Sequence, residues 1–298
     1  MRCAWCLVLI ACAACSGDDG SPISVDPDDV DGDGIRNDVD LCPRQRDPAQ
    51  HDEDLDGFGD ACDNCPASPN ADQADTTETV EHQFPDGVGD ACDRRPKVAD
   101  DTLARFFPFA SASEANAFTG TGWTIANDRA SGTNAEWLSK APEQGDGITL
   151  QARIAKLAWT AADAVVSVVV DGDGVSSGFV CSIVHADPLD TLELREVGGA
   201  RTTAMVGPFL ATDQLVLSVA RAYTQLASGK VACFLSVNGA AELRIDVTTT
   251  DDLAIGSYAL RTDAAAVELS AALVMTTPFA CDTPVAGPSF GCPTPPPP

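Results

Sequence analysis

DEDLDGFGDACDNCP, residues 52–66, decides how the N-terminal part of the chain folds. Counted from Asp52, acids stand at positions 1, 3, 5 and 12 (Asp52, Asp54, Asp56 and Asp63), with Asp60 among them and Gly57 at position 6. The spacing recurs upstream in DDVDGDGIRNDVDLCP, residues 28–43, where Asp29, Asp31, Asp33 and Asp40 take those positions and Gly34 the sixth. A calcium ion takes six to eight hard oxygens at about 2.3–2.6 Å. A looped 12-residue segment offers them from positions 1, 3, 5 and 12 and from a backbone carbonyl at 7, with glycine at 6 for the sharp turn. The ligands predicted for the first loop are therefore Asp29, Asp31, Asp33, the carbonyl of Ile35, and Asp40. For the second they are Asp52, Asp54, Asp56, the carbonyl of Phe58, and Asp63. Magnesium demands a tighter octahedron and sheds water reluctantly, so calcium fits the pattern better. Acidity alone makes a solvated linker. It does not make two glycine-marked registers with cysteines at matching ends.

The helix that follows such a loop in an EF-hand is excluded here, because Cys42-Pro43 and Cys65-Pro66 stand where it would run. The phrases at 28–43 and 52–66, with NADQAD (70–75) and DGVGDACD (86–93), instead resemble thrombospondin type 3 repeats over residues 26–95. That resemblance implies short loops wrapped around bound calcium. A third copy departs from the pattern. Asp75 matches position 1 and Asp86 position 5, with seven extra residues between them that include Glu78, Glu81, His82 and Phe84. The expectation is a weaker or rebuilt site using Asp75, Glu81, Asp86, Asp90 and Asp93. The resemblance, with chain order, further implies disulfides Cys42–Cys62 and Cys65–Cys92, although four cysteines allow three pairings. Each closure would stabilise by roughly 3 kcal/mol. Calcium and cystine would then replace the hydrophobic core that so acidic a module lacks.

The formal net charge of −27 is concentrated in the same region: residues 18–101 hold 25 Asp and Glu against 6 Lys and Arg. Such a surface repels phosphate backbones and anionic headgroups, so nucleic acid is excluded as a partner and cations are favoured. Residues 1–15 read as an export signal: Arg2, an apolar run from Ala4 to Ala14, then Cys15 and a polar lead-in over 16–25. The end of that run resembles a bacterial lipobox, which implies lipidation of Cys15; Cys12 stands where the motif prefers leucine. Of 12 cysteines, removing Cys3, Cys6 and Cys12 and lipidating Cys15 leaves eight, an even set for disulfides. The chain is thus expected at the cell surface or outer membrane, held by its lipid only, with simple secretion as the alternative.

Beyond residue 100 the pattern changes to alternation. Ile148, Leu150, Ala152 and Ile154 share one side of a strand, and Thr149, Gln151 and Arg153 the other. Similar runs fall at 165–170, 179–184, 191–197, 215–221, 231–237, 242–248, 258–262 and 267–275. Asn238-Gly239 marks a two-residue hairpin and 171–174 another turn. Without a helical stripe, nine or so strands over 101–281 imply an antiparallel β-sandwich or jelly roll, followed by a Pro-rich tail over 282–298. Ile255 to Tyr258 and Val267 to Val274 resemble the last strands of concanavalin-like and laminin-G-like sandwiches. The fold class expected is thus mainly β: an irregular, calcium- and disulfide-stabilised repeat module and then a sandwich. Cys181 and Cys233 lie on predicted strands and are expected to bridge them; Cys281 and Cys292 would close a short terminal loop.

For chemistry the sandwich offers little by sequence. His185 is its only histidine, with Asp187 nearby, and no nucleophile can be named beside it. Asp171 and Asp173 read as polar turn residues. Trp123, Trp137, Trp159, Tyr223 and Tyr258 read as core rather than sugar platforms. Glu193, Glu196, Glu242 and Glu268 are scattered, without the pairing that glycoside cleavage needs. The sequence therefore predicts a calcium-binding surface protein that is not an enzyme. Its repeats would act as a spacer presenting the sandwich to a glycan or protein ligand, and a carbohydrate-active enzyme is the alternative.

Overall fold

The structure is a computed structural model and describes residues 26–76, 85–93, 101–143, 147–222, 229–249 and 256–277. The signal segment with Cys15, the lead-in 16–25, Glu78, Glu81, His82, Phe84, Tyr223, Cys281, Cys292 and the Pro-rich tail lie outside the described residues. The chain divides into two compact units, residues 1–50 and 51–298.

In the first unit, residues 26–50 form irregular turns with a single isolated bridge between Asp26 and Asp29. The second unit begins with further turns of the same kind through Asp93 and then enters the strand region. Its strands are β1 (Thr102–Phe107), β2 (Phe118–Ile125), β3 (Ala130–Ser139), β4 (Gly147–Trp159), β5 (Val165–Val170), β6 (Phe179–Val184), β7 (Thr191–Glu196), β8 (Arg201–Met205), β9 (Leu215–Ala222), β10 (Gly229–Val237), β11 (Leu243–Thr249), β12 (Tyr258–Asp263) and β13 (Ala265–Thr277). Every pairing is antiparallel, in the order β11-β10-β9-β4-β13-β3-β12-β5-β6-β7-β8, with β1 on β13 and β2 on β3.

The path folds into a sandwich, because the inward row of each layer is apolar and the two rows meet. Val166, Val168, Val170, Phe179, Cys181, Ile183, Leu192 and Leu194 pack with Leu215, Leu217, Val219, Val231, Cys233 and Leu235 in one core. Burying each large aliphatic side chain of this set contributes about 1.5–3 kcal/mol. The Cys181–Cys233 disulfide ties β6 to β10, within the same apolar set. Strand β13 joins the layers: Ala266–Leu269 pair with β3, while Ala272–Thr276 pair with β1. Its register with β4 shifts on both sides of Leu269 and places Ser270 at a bulge.

The nine alternating runs read from the sequence are strands. Asn238 and Gly239, with φ of 52° and 71°, form a tight turn closed by the Ala240 amide on the Val237 carbonyl at 2.9 Å, but the β10–β11 ladder ends at Leu235 and Leu243, so the connection is longer than the two-residue hairpin expected. Four strands escaped the alternation. In β2, Gly120 and Gly122 replace the expected side chains because β3 runs too close: a Cβ on Gly120 would lie 2.0 Å from the carbonyl oxygen of Glu136. β3 itself carries Ser, Gly, Thr and Asn in its first half. β1 and β8 are short edge segments of mixed polarity.

Candidate metal centre

The glycines at position 6 set the shape of the repeat loops. Gly34, Gly57 and Gly87 have φ of 97°, 98° and 92°, and a Cβ at each would meet nothing within 4 Å. Glycine is therefore required by backbone conformation rather than by space. With the chain bent there, the position-1 carboxylate reaches the glycine amide: Gly34 donates to Asp29 Oδ2 at 3.1 Å, Gly57 to Asp52 Oδ2 at 3.1 Å, and Gly87 to Asp75 Oδ2 at 2.8 Å. Position 5 accepts from the amide two residues on, from Ile35 to Asp33 at 2.7 Å, from Phe58 to Asp56 at 2.9 Å and from Val88 to Asp86 at 2.9 Å. Its other oxygen is held from further along the chain by the amides of Asp47, Asn70 and Asp101 respectively. Asp86 thus occupies in the third copy the place of Asp56 in the second, and the seven extra residues are accommodated between positions 1 and 5. Asp60 and Asp90 stand at position 9, accepting from Glu53 at 2.9 Å and Thr76 at 3.1 Å; Asn37 does the same for Val30 in the first loop.

These amide bonds leave one carboxylate oxygen after another pointing into the loops. Carboxylate oxygens of Asp29, Asp31 and Asp33 all lie within 4.8 Å of one another, and so do those of Asp52, Asp54 and Asp56. Asp31 Oδ2, Asp40 Oδ2, Asp54 Oδ2, Asp60 Oδ2 and Asp75 Oδ1 are buried without a hydrogen-bond partner. A buried anionic oxygen without a partner is costly, and two in each of the first two loops fit a cation that both contact. Residues missed by the sequence reading brace position 12. Gln50 Nε2 donates to Asp40 Oδ1 at 2.8 Å, and Gln73 Nε2 to Asp63 Oδ1 at 2.7 Å. Their 23-residue spacing matches that of Asp29 and Asp52 and was the signal available to find them. Cys65 is bonded to Cys92, and Cys42 and Cys62 are each disulfide-bonded.

Electrostatics repeat the point. Burial, with the charges of Asp56 and Asp63, pushes the Asp54 carboxyl up to about 7. Burial pushes Asp60 up to about 6, and raises Asp31, Asp63 and Asp86 as well. An acid raised above its unfolded value binds protons on folding. The ion-free loop is therefore most stable at acid pH and loses stability as pH rises from about 4 towards 7. A cation needs the ionised carboxylates, so with the ion bound the dependence has the opposite sign. Calcium affinity is expected to fall by roughly tenfold or more between pH 7.5 and 5.5, with protons released on binding near pH 6. Calorimetry in buffers of different ionisation enthalpy measures both, and a pH-independent isotherm would contradict the burial of Asp54.

Glu53, between the clustered Asp52 and Asp54, turns the other way. Its carboxylate, raised by burial, is hydrogen-bonded by Ser270 at the β13 bulge, lies 3.9 Å from Arg129 and feels the charge of Arg153 on β4. The second loop is in this way fastened to the sandwich within one compact unit.

The sandwich's own candidates are dispersed. His185 Nδ1 is 2.7 Å from Asp190, not Asp187, and its ring stacks on Trp159 at 5.0 Å. Asp173 accepts from Val175, Ser176 and Ser177 amides, which hold its carboxyl below the usual range. Asp171 pairs with Arg221 inside the core. Glu193 faces Arg195 and Arg201, Glu196 accepts from Thr249, and Glu268 pairs with Lys156, while Glu242 is exposed. Trp123, Trp137 and Tyr258 belong to the core.

Residues 27–50 and 47–73 match the thrombospondin type 3 repeat. No curated protein matches the chain in sequence. Solved structures similar to it include the Bacteroides ovatus xyloglucan PUL GH43B, with 9% identity over 57% of this chain and a TM-score of 0.45; this chain spans 38% of its length. A legume lectin-like domain from Entamoeba histolytica is 11% identical over 53% of this chain and 89% of its own, with a TM-score of 0.43. A β-1,3-glucanase from Mycobacterium marinum is 9% identical over 58% of this chain and 98% of its own, with a TM-score of 0.41. A GH43 protein and a glucanase among these likenesses overturn the expectation that the chain is not an enzyme.

Proposed function

We propose that the chain is an exported, calcium-binding protein whose repeats, ordered by the ion, act as a spacer and present the sandwich to a glycan ligand. The observation that carries the calcium reading is the recurrence of partnerless buried carboxylate oxygens at Asp31 and Asp40, at Asp54, and at Asp75, in loops of one register. Asp29, Asp31, Asp33, Asp40 and the Ile35 carbonyl would hold one ion, and Asp52, Asp54, Asp56, Asp63 and the Phe58 carbonyl another. Asp60 would join the second set through its partnerless Oδ2, and Asp75, Asp86 and Asp93 would hold a third, with Asp90 bracing its loop. The ion supplies no reaction here; it cancels the repulsion of the carboxylates. Titration of the ion-free chain with calcium is expected to show two sites filling first and the third last. A chain that binds no calcium at millimolar concentration overturns the reading.

Anchoring at Cys15 to a bacterial outer membrane is the location that the N-terminal sequence supports, and the excess of acid outside the sandwich suits a module that meets cations rather than lipid headgroups. A Cys15→Ala variant released into the medium tests it.

A further inference from the structure

We infer that the outward face of the β3-β12-β5-β6 layer is a binding groove for a neutral, polyhydroxylated ligand such as a sugar chain; the inference rests on the glycan reading above and gives it a location. Outward positions of a sandwich are ordinarily solvated, yet here Ser167, Val169, Val180, Ser182 and Ala259 are at most 7% exposed. Ser167 and Val180 line the floor of a depression of about 560 Å³, within the 300–1,000 Å³ usual for small-ligand sites, while Val169 and Ala259 pack beside it with Val180, Leu138 and Val197. The Ser167 and Ser182 hydroxyls, 2.9 Å apart, bond to each other on adjacent strands.

The wall is built and stiffened. The β5–β6 connection folds back along one side, its carbonyls fixed by two arginines: Arg261 donates to Asp173 O at 3.0 Å and Arg195 to Gly174 O at 3.1 Å. Asp173 ties the same connection to itself through the amides of Val175, Ser176 and Ser177. The tip presents Val175, 63% exposed, at the mouth. A groove edged by a loop held in this way loses little entropy when it binds.

The charges decide the class of ligand. Two guanidinium groups, Arg195 and Arg261, and two carboxylates, Glu136 and Asp263, line the groove, and Arg261 pairs with Glu136 at 2.9 Å. The formal charges cancel, so the groove does not concentrate an anion or a cation. It offers donors and acceptors side by side instead. Each guanidinium carries five donors and each carboxylate two acceptor oxygens, and vicinal hydroxyls, which both donate and accept, match that alternation.

The test uses the full chain with calcium present and five probes: cellohexaose, xylohexaose, laminarihexaose, chitohexaose and a heparin hexasaccharide, followed by calorimetry. At least one neutral hexaose is expected to bind. The double variant Glu136→Gln, Asp263→Asn should weaken it at least tenfold, and Val175→Trp, placed at the exposed mouth, should do so without touching the core. Melting temperatures report whether each variant is folded. Binding that survives both variants overturns the groove and leaves the glycan reading standing. Preference for the heparin hexasaccharide overturns the neutral class. Failure of all five probes overturns the glycan reading and this inference with it.

Discussion

Stripping calcium from the intact chain with BAPTA is expected to abolish amide-exchange protection through residues 26–76 and 85–93 and, in the same experiment, to lower the thermal transition of the sandwich by a few degrees. The first effect follows from Coulomb's law. Three carboxylate oxygens within 4.8 Å of one another repel by on the order of 1 kcal/mol per pair in water and several in a partly desolvated loop. Little opposes that repulsion in the repeats. Cys42, Cys65, Pro66, Ala67 and Val88 are the only buried apolar side chains among the described residues before 101. Disulfides tie sequence-distant turns together but do not neutralise charge, so the loops should open while the cystines persist. The second effect follows from Glu53. Its neighbours Asp52 and Asp54 are proposed ligands, and its own carboxylate is held by Ser270 and flanked by Arg129 and Arg153. When the loop opens, the partly buried Arg153 loses the nearby charges of both Glu53 and Asp54. A loss of about 1 kcal/mol moves the transition of a domain this size by roughly 2–4 °C. Glu53→Ala in calcium should reproduce that shift, and BAPTA should then leave the sandwich transition where it is. A sandwich indifferent to both treatments rules out the coupling. Repeats whose exchange protection survives BAPTA rule out calcium as their organiser.

Why the first of these sites was readable from sequence and the second was not is a matter of range. Ligand positions 1, 3, 5 and 12 are local, and a glycine forced to φ near +95° leaves a mark that no other residue imitates. The Glu53 contact joins residues more than 70 positions apart, Arg129 and Ser270 among them, and nothing in DEDLD marks Glu53 as different from its neighbours. The third copy lies between these cases. Its insertion broke the spacing, and only the amides of Gly87 and Asp101 show Asp75 and Asp86 restored to their places. In the sandwich, period-2 alternation found strands that are covered on one face. It failed for β2, where close backbone approach demands glycine, and for the outward face of β5, β6 and β12, where Ser167 lies in the floor of the groove and Val169, Val180 and Ala259 are covered by Leu138 and Val197. His185 was assigned the nearer aspartate in sequence; the loop closes so that Asp190, 1% exposed, reaches it instead.

Alternation also concealed a charge. Arg221 continues the inward row of Leu215, Leu217 and Val219, and it is fully buried with Asp171 at 2.6 Å, its guanidinium 5.2 Å from the Phe179 ring centre. Removing one member of such a pair strands the other in a medium that solvates it poorly, and Arg221→Met is expected to cost about 3–5 kcal/mol in urea unfolding with calcium present. The pH dependence identifies the cause. Burial already raises the Asp171 carboxyl despite the arginine that lowers it. Without Arg221 the carboxyl rises further, the folded state takes up a proton, and the variant's deficit should shrink as pH falls from 8 towards 5. Restoring neutrality should restore the fold: Asp171→Asn combined with Arg221→Met is expected to recover most of the loss, since a neutral pair no longer strands a charge. Asparagine is the choice at 171 because φ there is +61°, a conformation it tolerates well. A double variant as unstable as the single one would show that Arg221 matters through its packing over Phe179 and not through its charge.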